Sequence, residues 1–199
     1  MTARTAHIDQ FTIDRLPAAD EQPDFLFDLP ELEYPEHLNA AAEIMDRHIA
    51  NGRGPHPALI TPEGTWSYQQ LHETINRICH VLTEDFGIVP GNRVLLRSAN
   101  NAFLTACWFA VLRIGAVAVT TMPLLRAHDL VPIINKGQIR HALCDASLKA
   151  EMENSRRQTS LLEKVCYFGD GAETPESLEA QMASKPAEFE AVKTLATDP

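Results

Sequence analysis

No Gly-rich phosphate loop, no G-x-G-x-x-G fingerprint, no G-x-S-x-G elbow and no H-E-x-x-H pair occurs in the 199 residues. Their absence removes the short motifs that announce nucleotide cradles, α/β-hydrolase nucleophiles and helical zinc sites. Gly52-Arg53-Gly54 is a bare G-x-G with no strand before it, and reads as a loop. The four cysteines, Cys79, Cys107, Cys144 and Cys166, form no C-x-x-C pair and lie in apolar surroundings. They read as buried reduced thiols, as expected in a cytosolic chain. Basic charge is scarce: 17 Lys and Arg stand against 27 acids, a net charge of −10. That balance argues against nucleic acid and against anionic membrane as partners. The start, MTARTAHIDQFTIDR, carries Asp9 and Asp14 and no apolar core, so it is not a signal peptide. A cytoplasmic protein is expected. Internal repeats are absent. Histidine spacing is equally unhelpful to a metal. His72 and His80 are eight apart and His37 and His48 do not share a helix face, while adjacent His128 and Asp129 should point to different faces.

What is present centres on Asn92 to Asp129. Val94-Leu95-Leu96 is an apolar run behind a Pro90-Gly91 turn, the size of a buried strand. Asn100 or Asn101 can cap the helix that follows, Ala102 to Ile114. That helix is apolar on almost every face and should be covered on both sides. Gly115 stands where a helix ends in a left-handed residue. Ala116 to Val119 is a second buried strand, stopped by Pro123. Strand, helix and strand with short joints predict a βαβ unit, hence parallel pairing. A membrane span is the competing reading of Ala102 to Leu125. Arg113 in its middle, at roughly 2.5–3.5 kcal/mol, and the breaks at Gly115 and Pro123 argue against it.

Residues 1–35 are Pro-spaced and acidic and predict an extended arm, with Phe11, Phe25, Phe27 and Leu29 as anchors. Residues 36–199 predict one α/β unit, large enough to bury roughly 70% of its extended surface. Glu36 to Asn51 reads as a helix with Leu38, Ala41, Ile44, Met45 and Ile49 near helical spacing. Ala58 to Thr61 and Thr65-Trp66 predict a hairpin. Ser67 with Gln70 three residues on is a capping box, opening a helix whose stripe is Tyr68, Leu71, Ile75, Ile78 and Leu82. Pro132 suits only a first helical turn, so the next helix should start at His128 or Asp129 and end at Lys136-Gly137. His141 to Cys144 and Val165 to Phe168 are further strands, with a helix at Ser147 to Ser155 capped by Asp145. A short helix at Glu176 to Ala183 precedes an acidic, Pro-punctuated strip. The fold class is α/β, a mostly parallel sheet with flanking helices.

The stretch from Gly64 to Leu130 resembles the front of the AMP-forming acyl-CoA ligases, the adenylate-forming enzymes. The resemblance rests on Thr65-Trp66-Ser67-Tyr68, the Leu71 helix, Gly91 with Arg93-Val94, Asn100 and the Gly115-Ala116-Val117 joint, in the family's order. The upstream LNAAAEIMDRHIANGRG looks like the subgroup acting on benzoate and 2-aminobenzoate. Asn92 replaces the family's usual Asp, and Pro132 is unusual in its helix. The resemblance covers about residues 36–199 and implies the incomplete N-terminal subdomain of such an enzyme, ending before the phosphate loop.

In that family a carboxylate attacks the α-phosphate of ATP, and coenzyme A then displaces AMP. The implied cofactors are ATP, Mg and coenzyme A; the implied partners are the rest of the ligase domain and a small carboxylic acid. The family's phosphate loop, magnesium Glu, ribose Asp and mobile Lys all lie beyond this region. No catalytic, cofactor-binding or metal residue is therefore carried onto the chain, which is expected to be non-catalytic by itself. Lys149, just after the third strand, could contact a coenzyme A phosphate, although a solvated lysine is the preferred reading. The alternatives are a stand-alone interaction domain derived from the fold and, least favoured without a phosphate loop, a minimal nucleotide binder at the strand ends.

Overall fold

The computed structural model describes residues 4–24, 26, 29–171 and 174–199. The elements are α1 (Ala40–Ala50), the hairpin strands β1 (Pro57–Thr61) and β2 (Gly64–Ser67), α2 (Tyr68–His80), β3 (Arg93–Arg97), α3 (Ala102–Arg113), β4 (Val117–Thr121), α4 (Ala127–Gly137), β5 (His141–Asp145), α5 (Lys149–Arg156), β6 (Lys164–Phe168) and α6 (Leu178–Met182). Strands β3 to β6 form one parallel sheet in the order β4-β3-β5-β6. Strand β3 is buried along its whole length, and its side chains alternate between two cores. Val94 and Leu96 join Leu143, Phe168 and the inner faces of α2 and α3. Leu95 points the other way, onto Leu130 and Ile134 of α4 and Met152 of α5.

The helix ends follow their sequence signals. Asn101 accepts the Leu104 N–H at 2.8 Å and caps α3, and Gly115 leaves it with φ of 71°. Ser67 and Gln70 form the reciprocal capping box of α2. Its stripe is continued past His80 by one π turn, Val81–Asp85, which keeps Leu82 buried.

Several expectations are corrected. Ile44 faces solvent, because the face of α1 that docks on α2 and α3 is centred on the fully buried Ala41 and Met45. Helix α3 is covered on its Ala106, Cys107, Ala110 and Val111 face, but Trp108 is exposed and Leu104 only half-buried. Helix α4 begins at Ala127, so Pro132 sits inside it, in the second turn. The carbonyl deprived of its partner there is that of His128, whose exposed position lets water satisfy it. Helix α4 does end at Gly137, as expected, and Gln138 leaves it in the left-handed conformation with φ of 49°. A Cβ on Gly137 would stand 3.0 Å from Ile139 Cγ1, so a larger residue there would make that side chain shift. Helix α5 begins at Lys149 after a 3₁₀ turn, and α6 is the short Leu178–Met182.

The N-terminal arm is anchored by polar groups. Leu29 is exposed, and Phe25 and Phe27 lie outside the described residues. The Ile8 and Asp9 N–H groups donate to Pro90 O at 3.0 Å. The Asp9 carboxylate accepts from Asn92 Nδ2 at 2.9 Å and from Arg93 Nη1 at 2.5 Å. Burial opposes ionisation of Asp9, but hydrogen bonds from Arg93, the Phe11 N–H and Asn92 outweigh it and hold the carboxyl below its usual range. Phe11 is flanked by guanidinium groups, Arg15 at 4.1 Å and Arg93 at 4.5 Å from its ring centroid.

This geometry accounts for Asn92, where the resembled family carries Asp. Its Oδ1 accepts the Val89 N–H at 3.1 Å and its Nδ2 donates to Asp9. Asn92→Asp would set two carboxylates against each other and lose that donor. We expect a loss of about 1–2 kcal/mol in urea unfolding, smaller at high salt. An unchanged midpoint would mean that Asn92 does not hold the arm.

The C-terminal strip is a strap across three helices. Asn76 Nδ2 donates to Ala187 O at 2.8 Å, Arg113 Nη2 to Phe189 O at 2.8 Å and Asn39 Nδ2 to Val192 O at 3.0 Å. Arg113 Nη1 also donates to Asp46 Oδ1 at 2.7 Å, and the same oxygen accepts from His72 Nε2 at 2.9 Å.

His7 and His141 are buried with Nδ1 unpartnered. Burial lowers the pKa of each. It outweighs Asp198 and Asp9 around His7, and Glu163 around His141, where Lys164, Arg140 and Arg93 lower the pKa further. Both are harder to protonate folded than unfolded. Their contribution to stability is complete above about pH 6.5 and is lost as pH falls from there through the folded-state values. Urea midpoints should therefore drop between about pH 7.5 and 5.5, and the drop should shrink in His141→Asn. A flat profile would contradict neutral, buried imidazoles.

Candidate functional site

Open parallel sheets bind ligands at the carboxyl ends of strands, where neighbouring connections leave in opposite directions. Here that point lies between β3 and β5, because β3 leads to β4 on one side and β5 to β6 on the other. Three side chains meet there. Asn101 Nδ2 donates to Ser98 Oγ at 2.9 Å and to Asp145 Oδ2 at 3.2 Å. Ser98 Oγ lies 3.1 Å from Asp145 Oδ2 and 2.8 Å from Ala99 O, with one proton to direct at either. The other Asp145 oxygen accepts the Ser147 N–H at 2.9 Å and its hydroxyl at 2.6 Å. Asp145 thus ties the loop after β3 to the loop after β5, while also supplying the cap expected from sequence.

Next to this cluster Arg97 is 1% exposed and ends β3. Nη1 donates to Met122 O at 2.9 Å, and Nη2 to Pro123 O at 2.9 Å and Leu125 O at 2.7 Å. Burial lowers its pKa, yet a guanidinium stays charged. It fixes the β4–α4 connection over a cavity of about 310 Å³ bordered by Pro123, Leu124, Ser147 and Glu151. Glu151 accepts the Ala127 N–H at 2.9 Å, and this bond, with help from Arg126, holds its carboxyl below the usual range. Asp129 accepts the Arg126 N–H at 3.0 Å. Two amides at the start of α4, those of Arg126 and Ala127, are thus occupied by the chain's own acids and not by an outside anion.

Lys149 begins α5 and is exposed; its Nζ lies 5.0 Å from the Tyr167 ring centroid, and the Tyr167 hydroxyl donates to Glu153 at 2.6 Å. The lysine therefore has an aromatic partner on its own subdomain. His128 and Asp129 do meet, at 3.3 Å, contrary to expectation, because the first turn of α4 lets adjacent side chains fold back; both are open to solvent. Among the described residues no group of three or more His, Cys, Asp or Glu is arranged to hold a metal ion. Burial pushes the Cys144 and Cys166 thiols up to about 12, which leaves them protonated at neutral pH and poor nucleophiles. What these residues build is a bonded platform that fixes the loops at the strand ends. Sequence reasoning missed Arg97, although an arginine closing an apolar strand has to find acceptors in the adjoining loops.

Comparison with known proteins decides what the platform belongs to. A family model described as AMP-binding enzyme matches residues 46–199. The chain belongs to that family. Two ligases of Thauera aromatica are among its relatives. A 3-hydroxybenzoate–CoA/4-hydroxybenzoate–CoA ligase is 30% identical over 73% of this chain and 28% of its own length, and a benzoate–CoA ligase is 25% identical over 85% of this chain and 32% of its own. Among solved structures, an anthranilate CoA ligase in complex with anthranoyl-AMP superposes with a TM-score of 0.76 at 23% identity, over 83% of this chain and 32% of that one. The chain thus spans about a third of the length of the AMP-binding enzymes it matches. At that identity the superposition establishes the fold, an α/β sheet shared with adenylate-forming ligases. No helix among the described residues is long and apolar enough to cross a membrane, which agrees with reading the Ala102–Leu125 stretch as βαβ.

Proposed function

We propose that this chain is the N-terminal portion of an ATP-dependent, AMP-forming acid–CoA ligase acting on an aromatic acid of the benzoate, hydroxybenzoate or 2-aminobenzoate type. The carrying observation is the family match over residues 46–199, together with relatives of benzoate chemistry that it covers for about a third of their length. In this reading residues 1–35 are an arm and residues 36–199 a subdomain that frames the rest of the ligase domain, in the cytoplasm. ATP, Mg and coenzyme A belong to the whole enzyme. Charge developing on a transferring phosphoryl group needs donors and a metal aimed at its oxygens. The described residues do not fit that demand: the Ala127 and Arg126 amides at the start of α4 are taken by Glu151 and Asp129, and Asp145 faces Ser98, Asn101 and Ser147. We derive no catalytic step through them and assign the chemistry to the remainder of the domain. Lys149, held over Tyr167, is given no coenzyme A contact.

A second reading, a stand-alone interaction module, is favoured by large exposed apolar side chains: Ile60 at 82%, Leu124 at 79% and Met122 at 61%. Pyrophosphate exchange into ATP separates the two. The 199-residue chain should give none with any aromatic acid. The same chain continued through a full ligase domain should exchange with at least one of the three acids. Exchange by the short chain would overturn the fragment reading. Silence of the extended one, with aromatic and aliphatic acids alike, would favour the interaction module.

A further inference from the structure

The opposite end of the sheet carries a feature outside the site described above. At the amino ends of β3 and β5, a pocket of about 380 Å³ is bordered by Arg15, Arg93, Lys136 and Arg140, with Asp9 as the one carboxylate in its lining. Such a concentration of positive charge is unexpected in a chain whose net charge is −10. We propose that this pocket binds a small polyvalent phosphate anion. Its volume lies in the range of small-molecule sites, about 300–1,000 Å³.

Four groups from four parts of the chain build it. Arg15 comes from the arm, Arg93 from β3, Lys136 from the last turn of α4 and Arg140 from the approach to β5. Arg93 is buried, and its donors go to Asp9, Gly91 O, Gly137 O and Gln138 O. It contributes charge and cancels the carbonyls at the end of α4 that would otherwise repel an anion. Lys136 and Arg15 are exposed, and Arg140 is held by Glu163 at 2.6 Å. Their ammonium and guanidinium groups can each take a different phosphoryl oxygen, which suits a polyphosphate better than a single monovalent acid.

The test uses the chain as it stands and tripolyphosphate as the probe, titrated by calorimetry at low ionic strength. We expect saturable binding that weakens steeply with salt, and about a tenfold loss in each of Lys136→Glu and Arg15→Glu. Both side chains are exposed, so the fold should survive, which circular dichroism and the urea midpoint would verify. Arg53→Glu, an exposed charge reversal elsewhere, should bind like the parent. ATP binding as tightly as tripolyphosphate, with AMP much weaker, would show that the phosphate chain is what is read. ATP binding far more tightly than tripolyphosphate would overturn a phosphate-only site. Absence of heat up to about 10 mM probe, or binding indifferent to both reversals, would likewise overturn the proposal.

Discussion

Gly115→Val is expected to destabilise the chain by about 2–4 kcal/mol, read as a fall in the urea midpoint. Two terms contribute. Gly115 has φ of 71°, where a β-branched residue is strained. A Cβ there would also stand 3.2 Å from Val192 Cγ1 and Thr194 Cγ2 and 3.3 Å from Pro90 Cβ. The position is the joint of α3 and β4, and it is also where the strap and the arm's turn converge, with the Gly91 N–H donating to Gly115 O at 2.8 Å. Gly52 separates the two terms. Its φ is also 71°, but a Cβ on it would meet nothing within 4 Å. Gly52→Ala should therefore show strain alone, on the order of 1 kcal/mol, and Gly115→Ala should cost more. Equal effects of the two alanines would show that the strap does not press on the joint.

The path through Gly115 was readable in the sequence because each of its signals is local: an apolar run, a capping Asn, a periodic helix, a glycine, another run. The same holds for the Ser67–Gln70 box and for all four parallel strands. The arm was readable only as an extended segment. Of the expected anchors Phe11 does meet the body, at Arg93, but the polar hold could not be foreseen: Asp9 reaches residues 83 and 84 positions away, Asn92 and Arg93. No periodicity encodes a pairing at that distance. The strap fails for the same reason: its partners are the side chains of Asn39, Asn76 and Arg113, each of which reads locally as an ordinary polar residue. Pro132 and Gln138 show local rules overruled by context. His128 is exposed, so its carbonyl tolerates the loss of a donor, and the left-handed position after the helix falls to Gln138 although a glycine stands beside it. At the strand ends Asp145 was visible as a cap, but its links to Ser98 and Asn101 depend on β3 and β5 becoming neighbours, which a linear reading does not give.

Arg97→Met should be the most damaging change at that end, by about 3–5 kcal/mol. The sign is not obvious, because replacing a buried ion pair by apolar groups of similar size is often neutral. That exception needs both partners to be removed. Here the acceptors are the carbonyls of Met122, Pro123 and Leu125, which remain after the substitution. Met fills much of the volume and returns some apolar burial, worth at most about 3 kcal/mol. Against it stand three charge-assisted hydrogen bonds at about 1.5–3 kcal/mol each. Water reaches part of the loop, since Met122 and Leu124 are exposed, and this keeps the loss below the full sum. Arg97→Lys should recover only a fraction, because one ammonium cannot span three carbonyls as a planar fork does. Urea unfolding ranks the three proteins, and amide exchange at residues 122–126 should accelerate in both variants before the sheet itself opens. If Arg97→Met unfolded at the parent's midpoint, with the loop amides still protected, the guanidinium would not be what holds the β4–α4 connection over the strand ends.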